Sequence, residues 1–345
     1  MEAKFILSRE KLLDQYNKLK DMGLKISYSY KTNNDVGNVL QNLVPECYFS
    51  IHRKEEVENI KKRSKIWFFT QAELEDELKE LINLGIKNFV IDNEIDLQRI
   101  INTIKEQKAS INLSLRMKFQ EHRIGTGKYF VYGMSSRRIN EIIKQIKDED
   151  FIENLGIHIH RKSQNTSEWE IKKELEDSLT KETLERIDFV NIGGGLPVEY
   201  RSYTSKVLPY IFSKISEAKI WLEQFKIDTY IEPGRFLAAP CITLKTEIIQ
   251  IYEKNIVINT TIYNCALDTT LTGTKMIIEQ EMPNNGEGEF YLVKGNSPTR
   301  DDIFRYKVKL KEPKVGDRIT FLNAGAYNYT TDFFGYKKLK TEIVE

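Results

Sequence analysis

A repeat of short β-rich runs and amphipathic helical segments fills the first two-thirds of this chain and limits what it can fold into. Lys25–Tyr30 is such a run, and so are Lys65–Thr70, Asn88–Ile91, Ser110–Arg116, Gly156–His160, Phe189–Ile192 and Asp228–Ile231. Between them lie Glu73–Leu84, Ile95–Ile104, Arg137–Ile146, a long polar helix after His160, and Val207–Phe225, with apolar residues at helical spacing. Strands separated by helical crossovers pair in parallel. About eight such units favour closure into a barrel, and a barrel of ~250 residues leaves part of the 345-residue chain for a smaller unit.

From Cys241 the texture changes. Ile242–Tyr252, Ile256–Tyr263, Glu289–Val293, Arg305–Leu310 and Arg318–Phe321 are rich in branched residues and separated by Gly, Pro and Asn turns. That pattern predicts a mainly antiparallel β domain. The expected division is a barrel over residues 10–238 and a β domain over 239–345, joined by an N-terminal strand within residues 1–9, at Lys4–Leu7.

Charge selects no polyanionic partner: 52 Lys and Arg balance 51 Asp and Glu, so neither nucleic acid nor a membrane surface is expected to bind. Lys61-Lys62-Arg63 reads as a solvated helix face rather than a phosphate patch. The first residues lack the basic-then-apolar order of a secretory signal, and no apolar run reaches the ~18 residues of a membrane span. Cys47, Cys241 and Cys265 are odd in number and lack zinc spacing. A soluble, cytoplasmic protein is expected.

Four strand ends carry residues suited to chemistry. Tyr28-Ser29-Tyr30-Lys31-Thr32-Asn33 puts a lysine at a strand's carboxyl end, where barrel active sites gather, although a solvated loop lysine would look the same. In Gly156-Ile157-His158-Ile159-His160-Arg161-Lys162-Ser163, alternation sends both histidines to one strand face. No ligand pattern joins them to His52 or His122, so no metal is expected. Gly193-Gly194-Gly195-Leu196-Pro197 follows a buried strand, and such a triplet can expose N–H groups to an anion or serve only as a flexible turn. Glu232-Pro233-Gly234-Arg235 pairs a carboxylate with a guanidinium fork suited to phosphate, or simply makes a surface ion pair.

Taken in order, these four elements and Gly325-Ala326-Tyr327 resemble the fold-type III pyridoxal-phosphate decarboxylases acting on ornithine, arginine, diaminopimelate and related substrates. That family carries Y-A-x-K-x-N, H-x-H-x-G-S, G-G-G-x-P, E-P-G-R and G-A-Y in the same sequence, and the likeness runs from about Phe5 to Gly335. The resemblance implies an alanine-racemase-like (β/α)8 barrel followed by the C-terminal β domain. It implies that pyridoxal 5'-phosphate is carried covalently by Lys31 and that His160 stacks on its ring. Ser163, Gly193, Gly194, Gly195, Gly234, Arg235 and Tyr327 would surround the phosphate, and Arg116 would lie beneath the cofactor. Glu232 would pair with the ring nitrogen and keep it protonated, which strengthens the cofactor as an electron acceptor and favours decarboxylation. The related racemases have an arginine there. The family also implies a homodimer with shared active sites.

Several positions depart from the family. In Gly295-Asn296-Ser297-Pro298-Thr299-Arg300-Asp301-Asp302, Pro298 replaces the loop cysteine expected to assist reprotonation at Cα, and Thr299 replaces an aspartate that grips a distal amine. Lys31 or Thr299 would then supply the proton. Phe49-Ser50-Ile51-His52-Arg53 has lost the acid of the F-D-C-A-S type, and Lys162 replaces a glycine. These changes imply a substrate with an unusual far end, an amino acid attached to a larger metabolite. FILSREKL and ISYSYKTNND further resemble the decarboxylase domain of microcin C maturation enzymes, which implies a peptide-nucleotide antibiotic precursor. A racemase and a catalytically inactive regulatory relative are the competing readings.

Overall fold

Eight parallel strands close into a ring in the computed structural model, which describes residues 2–118, 132–146, 149–328 and 335–345. His122 lies outside the described residues. After a first strand, β1 (Lys4–Ser8), the chain forms β2 (Lys25–Ser29), β3 (Tyr48–Ile51), β4 (Ile66–Phe69), β5 (Asn88–Ile91) and β6 (Ile111–Lys118). A two-residue strand, β7 (Met134–Ser135), pairs with β6 outside the ring. Then follow β8 (Ile152–Ile159), β9 (Phe189–Asn191) and β10 (Asp228–Ile231). Pairing of β5 with β6 and of β10 with β2 closes the circle.

Strands of this kind are covered on both faces, by helices outside and by side chains in the lumen, so β5 is buried throughout. Trp67, Val90, Phe189 and Tyr230 plug the lumen, with Tyr48 and Phe69 packed against them. Trp67 and Phe189 approach to 5.0 Å between ring centroids. Trp67→Ala would cost about 3–5 kcal/mol by opening a void there.

Strand β3 is absent from the sequence expectations, because four residues between Pro45 and Arg53 are too few to display a period. The polar segment after His160 forms two short helices, Ile171–Ser178 and Lys181–Leu184, instead of one. The break comes where Leu179 turns extended and the Thr180 side chain accepts from the Thr183 N–H, starting a second helix. The run expected through Tyr263 stops at Ile258, and Thr261 caps a short helix, Ile262–Cys265.

The remaining strands are β11 (Ile242–Tyr252), β12 (Asn255–Ile258), β13 (Ile277–Ile278), β14 (Glu289–Lys294), β15 (Ile303–Leu310), β16 (Arg318–Leu322) and β17 (Lys340–Val344). Six of them form a path in the order β13-β16-β11-β12-β14-β15, antiparallel except between β12 and β14, and β17 joins the sheet through a parallel pairing with β1. Strand β1 lies between β11 and β17, with Phe5 opposite Leu244 on one side and Thr341 on the other. Ser8 then caps the helix Arg9–Lys20, which leads into the barrel.

Candidate active site

The carboxyl ends of the barrel strands surround a cavity of about 490 Å³. Lys31 enters it from a single 3-10 turn, Tyr30–Thr32, that follows β2. Both neighbours are fully buried, and the Tyr30 hydroxyl donates to Asn38 Oδ1 at 2.9 Å. Asn33 accepts from the Val36 N–H to cap the helix Asn34–Leu43, and its amide donates to the Gly325 carbonyl at 2.9 Å. Thr32 accepts from the Tyr327 N–H at 3.1 Å. The Y-x-x-K-x-N and G-A-Y motifs therefore clasp each other. Gly325 is required in that clasp because a Cβ would lie 1.9 Å from the Ala238 carbonyl oxygen. Lys31 itself meets the open space of the cavity while protein surrounds it on the other sides. That burial lowers its pKa; the Glu232 charge opposes the shift and Arg116 adds to it.

Glu232 directly follows β10 and lines the cavity. Its Oε1 accepts from Ser50 Oγ at 2.8 Å and Asn191 Nδ2 at 2.9 Å, and its Oε2 pairs with His158 Nε2 at 2.9 Å. Glu232, Ser50, Asn191 and His158 are all buried. Burial alone would raise the carboxyl pKa, but the His158 charge and the His158 and Ser50 hydrogen bonds bring it down to about 2. A carboxylate accepts only, so His158 donates from Nε2.

His160 lies parallel to His158, with ring centroids 6.4 Å apart. The Gly194 N–H donates to His160 Nδ1 at 3.2 Å, which leaves Nε2 as the protonated nitrogen of a neutral ring. Burial pushes the His160 pKa down to about 3, consistent with that state. His52 also lines the cavity, stacked on Phe69 at 4.7 Å, and burial likewise takes it down to about 3.

The glycine triplet makes a cradle without side chains. Gly193 and Gly195 have φ of +69° and +104°, and Cβ atoms there would lie 2.2 Å from the Ile159 oxygen and 2.6 Å from the Lys162 oxygen. Gly194 and Gly195 line the cavity, whereas Gly193 lies outside its lining and its N–H bonds Asn191 Oδ1 at 2.9 Å. The expected contact of Gly193 with a phosphate is therefore replaced by a structural one. Gly234 packs against the Lys31 turn, since a Cβ there would lie 2.2 Å from Thr32 Oγ1.

Arg235 is buried between the rings of Tyr200 and Tyr327. Asp268 takes two of its N–H groups, at 2.7 and 3.1 Å, and Tyr200 and Ser163 accept at 3.2 and 3.4 Å. Its fork is thus largely committed within the protein, a feature invisible in the E-P-G-R motif. Arg116 lines the cavity, its guanidinium 3.2 Å from Asp92 and beside the ring of Tyr132. Burial raises the Asp92 pKa, against the pull of Arg116.

Lys31, Arg116, His160, Ser163, Gly194, Gly195, Glu232, Gly234, Arg235 and Tyr327 thus converge on one cavity. Thr299 does not line it. The loop joining β14 and β15 folds on itself around Asp302, whose carboxylate accepts from the Ile262 and Ser297 N–H groups at 2.8 and 3.0 Å. Gly295 is needed there because a Cβ would lie 2.2 Å from Asp302 Oδ1. The Thr299 side chain bonds Tyr263. Ser50, Asn191, His52, Asp92 and Asp268 were missed as site residues. The period-two face of β8 pointed to His158, but no linear signal ties Ser50 or Asp268 to residues 182 and 33 positions away.

The model of the pyridoxal-binding domain of pyridoxal-dependent decarboxylases matches residues 9–239. The chain belongs to this family. It is 24% identical over 281 residues to diaminopimelate decarboxylase of Methanothermobacter thermautotrophicus, a match covering 74% of this chain and 63% of that enzyme. With the Vibrio cholerae diaminopimelate decarboxylase it shares 27% identity over 328 residues, 88% of this chain and 77% of the other. The chain thus matches somewhat under two-thirds of the length of the first relative. Among solved structures, Helicobacter pylori diaminopimelate decarboxylase complexed with L-lysine superposes with a TM-score of 0.83 at 20% identity, covering 100% and 92% of the two chains. Selenomonas ruminantium lysine decarboxylase gives 0.81 at 17%, covering 99% and 92%. These likenesses show the shared fold.

The cavity fits pyridoxal phosphate. A lysine with lowered pKa can react as a free amine, Gly194 and Gly195 line the cavity with bare backbone where no Cβ fits, and a deprotonated buried carboxylate suits a cationic ring nitrogen.

Proposed function

We propose that this chain is a carboxy-lyase that removes the α-carboxylate of an amino acid attached to a larger or modified metabolite, with pyridoxal phosphate on Lys31. When bound, the cofactor supplies an electron-accepting ring for the electrons left at Cα. One observation carries the reading: Glu232 is a buried carboxylate that lines the cavity and is held as an anion by Ser50, Asn191 and His158, none of them Lys or Arg, which suits it to a cationic ring nitrogen. An arginine in that place would favour racemisation. His160 would cover the ring face as a neutral imidazole. Ser163, Gly194, Gly195, Arg235 and Tyr327 would hold the phosphate, with Arg116 close by.

Pro298 has no proton to give, and Thr299 points to Tyr263 in its own chain, so Lys31 Nζ is the group we assign to return a proton to Cα. We further infer a homodimer in which the Gly295–Asp302 loop of one chain borders the partner's cavity. The loss of acids at Ser50 and Thr299 supports a substrate without the second ammonium of lysine or ornithine, such as a peptide-nucleotide antibiotic precursor. Division at residue 238 is supported by β1, which pairs with β11 and β17 and belongs with the C-terminal sheet. Three buried free cysteines fit a cytoplasmic setting. Among the described residues no helix is long and apolar enough to cross a membrane.

Purified protein should absorb at the band of a lysine-bound pyridoxal, and borohydride should fix the cofactor on the peptide holding Lys31. Carbon dioxide should be released from amino-acid conjugates faster than from free lysine or ornithine. An adduct on another lysine, or racemisation without carbon dioxide release, would overturn the reading.

A further inference from the structure

Against Glu232 stand two serines that lie outside the strand-end motifs carrying Lys31, His160, the glycine triplet and Arg235. Ser50 Oγ is 2.8 Å from Glu232 Oε1 and 2.8 Å from Ser27 Oγ, and both serines are at most 1% exposed. Ser27 and Ser50 lie on neighbouring strands, β2 and β3. A hydroxyl has one proton. Ser50 must give its proton to the carboxylate, which can only accept, so Ser27 must give its own to Ser50. The direction of both hydrogen bonds is therefore set, and each polarises the next.

We propose that Ser27 and Ser50 are positioning residues that hold Glu232 as an anion through a one-way hydroxyl chain, Ser27 to Ser50 to Glu232. Ser50 stands where the sequence motif of the family has an acid. An acid so close to Glu232 would share a proton with it, since two carboxylates in contact cannot both ionise easily. A serine in that position stabilises the charge instead. The other groups around Glu232 are Asn191 from β9, His158 and His160 at the end of β8, and Lys31 and His52 after β2 and β3; Arg116 from β6 lines the same cavity. None of them contacts Oε1 except Asn191, so Ser50 supplies one of the two hydrogen bonds on that oxygen.

The chain makes a prediction that simple packing does not. Ser27 acts only through Ser50, so its effect should vanish once Ser50 is gone. The carboxyl pKa of Glu232, followed by carbon-13 glutamate NMR of the full chain without cofactor and assigned with Glu232→Gln, should rise by about one unit in Ser50→Ala. Ser27→Ala should raise it by less, and the double variant should match Ser50→Ala. Ser50→Thr should restore the wild-type value. With cofactor bound, the acid limb of the kcat/KM profile should move up in the same order. This second arm rests on the proposed role of Glu232, whereas the NMR arm does not, so failure of that role would spare the NMR result. An unchanged Glu232 titration in Ser50→Ala, or equal and additive effects of Ser27→Ala and Ser50→Ala, would overturn the proposal.

Discussion

Two buried charges line the cavity, and they are satisfied in different ways. Arg235 has a formal counter-charge: Asp268 grips it through two hydrogen bonds, and tyrosine rings cover its faces. Glu232 is held by a serine, an asparagine and a histidine, with neither lysine nor arginine hydrogen-bonded to it among the described residues. A buried ion pair of good geometry is close to self-sufficient, so the Arg235 site can fold with nothing bound. A carboxylate stabilised by dipoles and a histidine keeps much of its charge available. The first arrangement builds a wall, and the second prepares a seat for a cation.

The largest effect should come from breaking the ion pair. Asp268→Ala leaves a buried guanidinium without its acid, which should cost about 3–5 kcal/mol of unfolding free energy in urea titration. Bound phosphate would take over part of the lost role. Saturation with pyridoxal phosphate should therefore raise the melting temperature more in Asp268→Ala than in the wild type; an equal rise would mean that Arg235 does not face the phosphate.

At the second charge, Glu232→Gln should lower turnover at least ~100-fold while borohydride still fixes the cofactor to Lys31. Turnover within a few fold of wild type would show that the carboxylate does not govern the reaction.

The two neutral histidines that line the cavity predict a smaller, pH-dependent effect. His52 and His160 have folded pKa values depressed to about 3, while an unfolded histidine titrates near 6.5. Below about pH 6.5 the unfolded chain takes up protons that the folded chain refuses, so stability is full above that pH and declines as pH falls toward 3. The urea midpoint should be lower at pH 5 than at pH 7, and His52→Asn should shrink the difference. A midpoint insensitive to this range would contradict neutral histidines in the folded state.

Thr299→Val should change least. Losing its bond to Tyr263 costs about 1 kcal/mol or less, and Lys31 remains to return the proton. A large loss of turnover would bring the partner's loop into the chemistry.

Much of the barrel was legible in the sequence because each strand is a short apolar run bounded by turns, and β5 and β10 coincide with their expected limits. The strand at Tyr48–Ile51 was too short to read, and the polar stretch after His160 has helical spacing on both sides of the Leu179 break. Motifs at strand ends located Lys31, His160, Glu232 and Arg235, since the carboxyl ends of parallel strands meet at one mouth.

What the linear order determined by itself is therefore the list of groups that carry chemistry and the fold that gathers them. Which group meets which was decided only in three dimensions. Ser27 and Ser50 belong to strands joined by a helical crossover, Glu232 follows the last strand of the ring, and Asp268 belongs to the segment beyond the barrel. Their contacts arise from closure of the sheet and docking of the second sheet, and neither leaves a periodic mark on the residues involved. Hydrogen-bond direction and charge balance, which distinguish Arg235 from Glu232, follow from distances of about 3 Å between residues far apart in the chain.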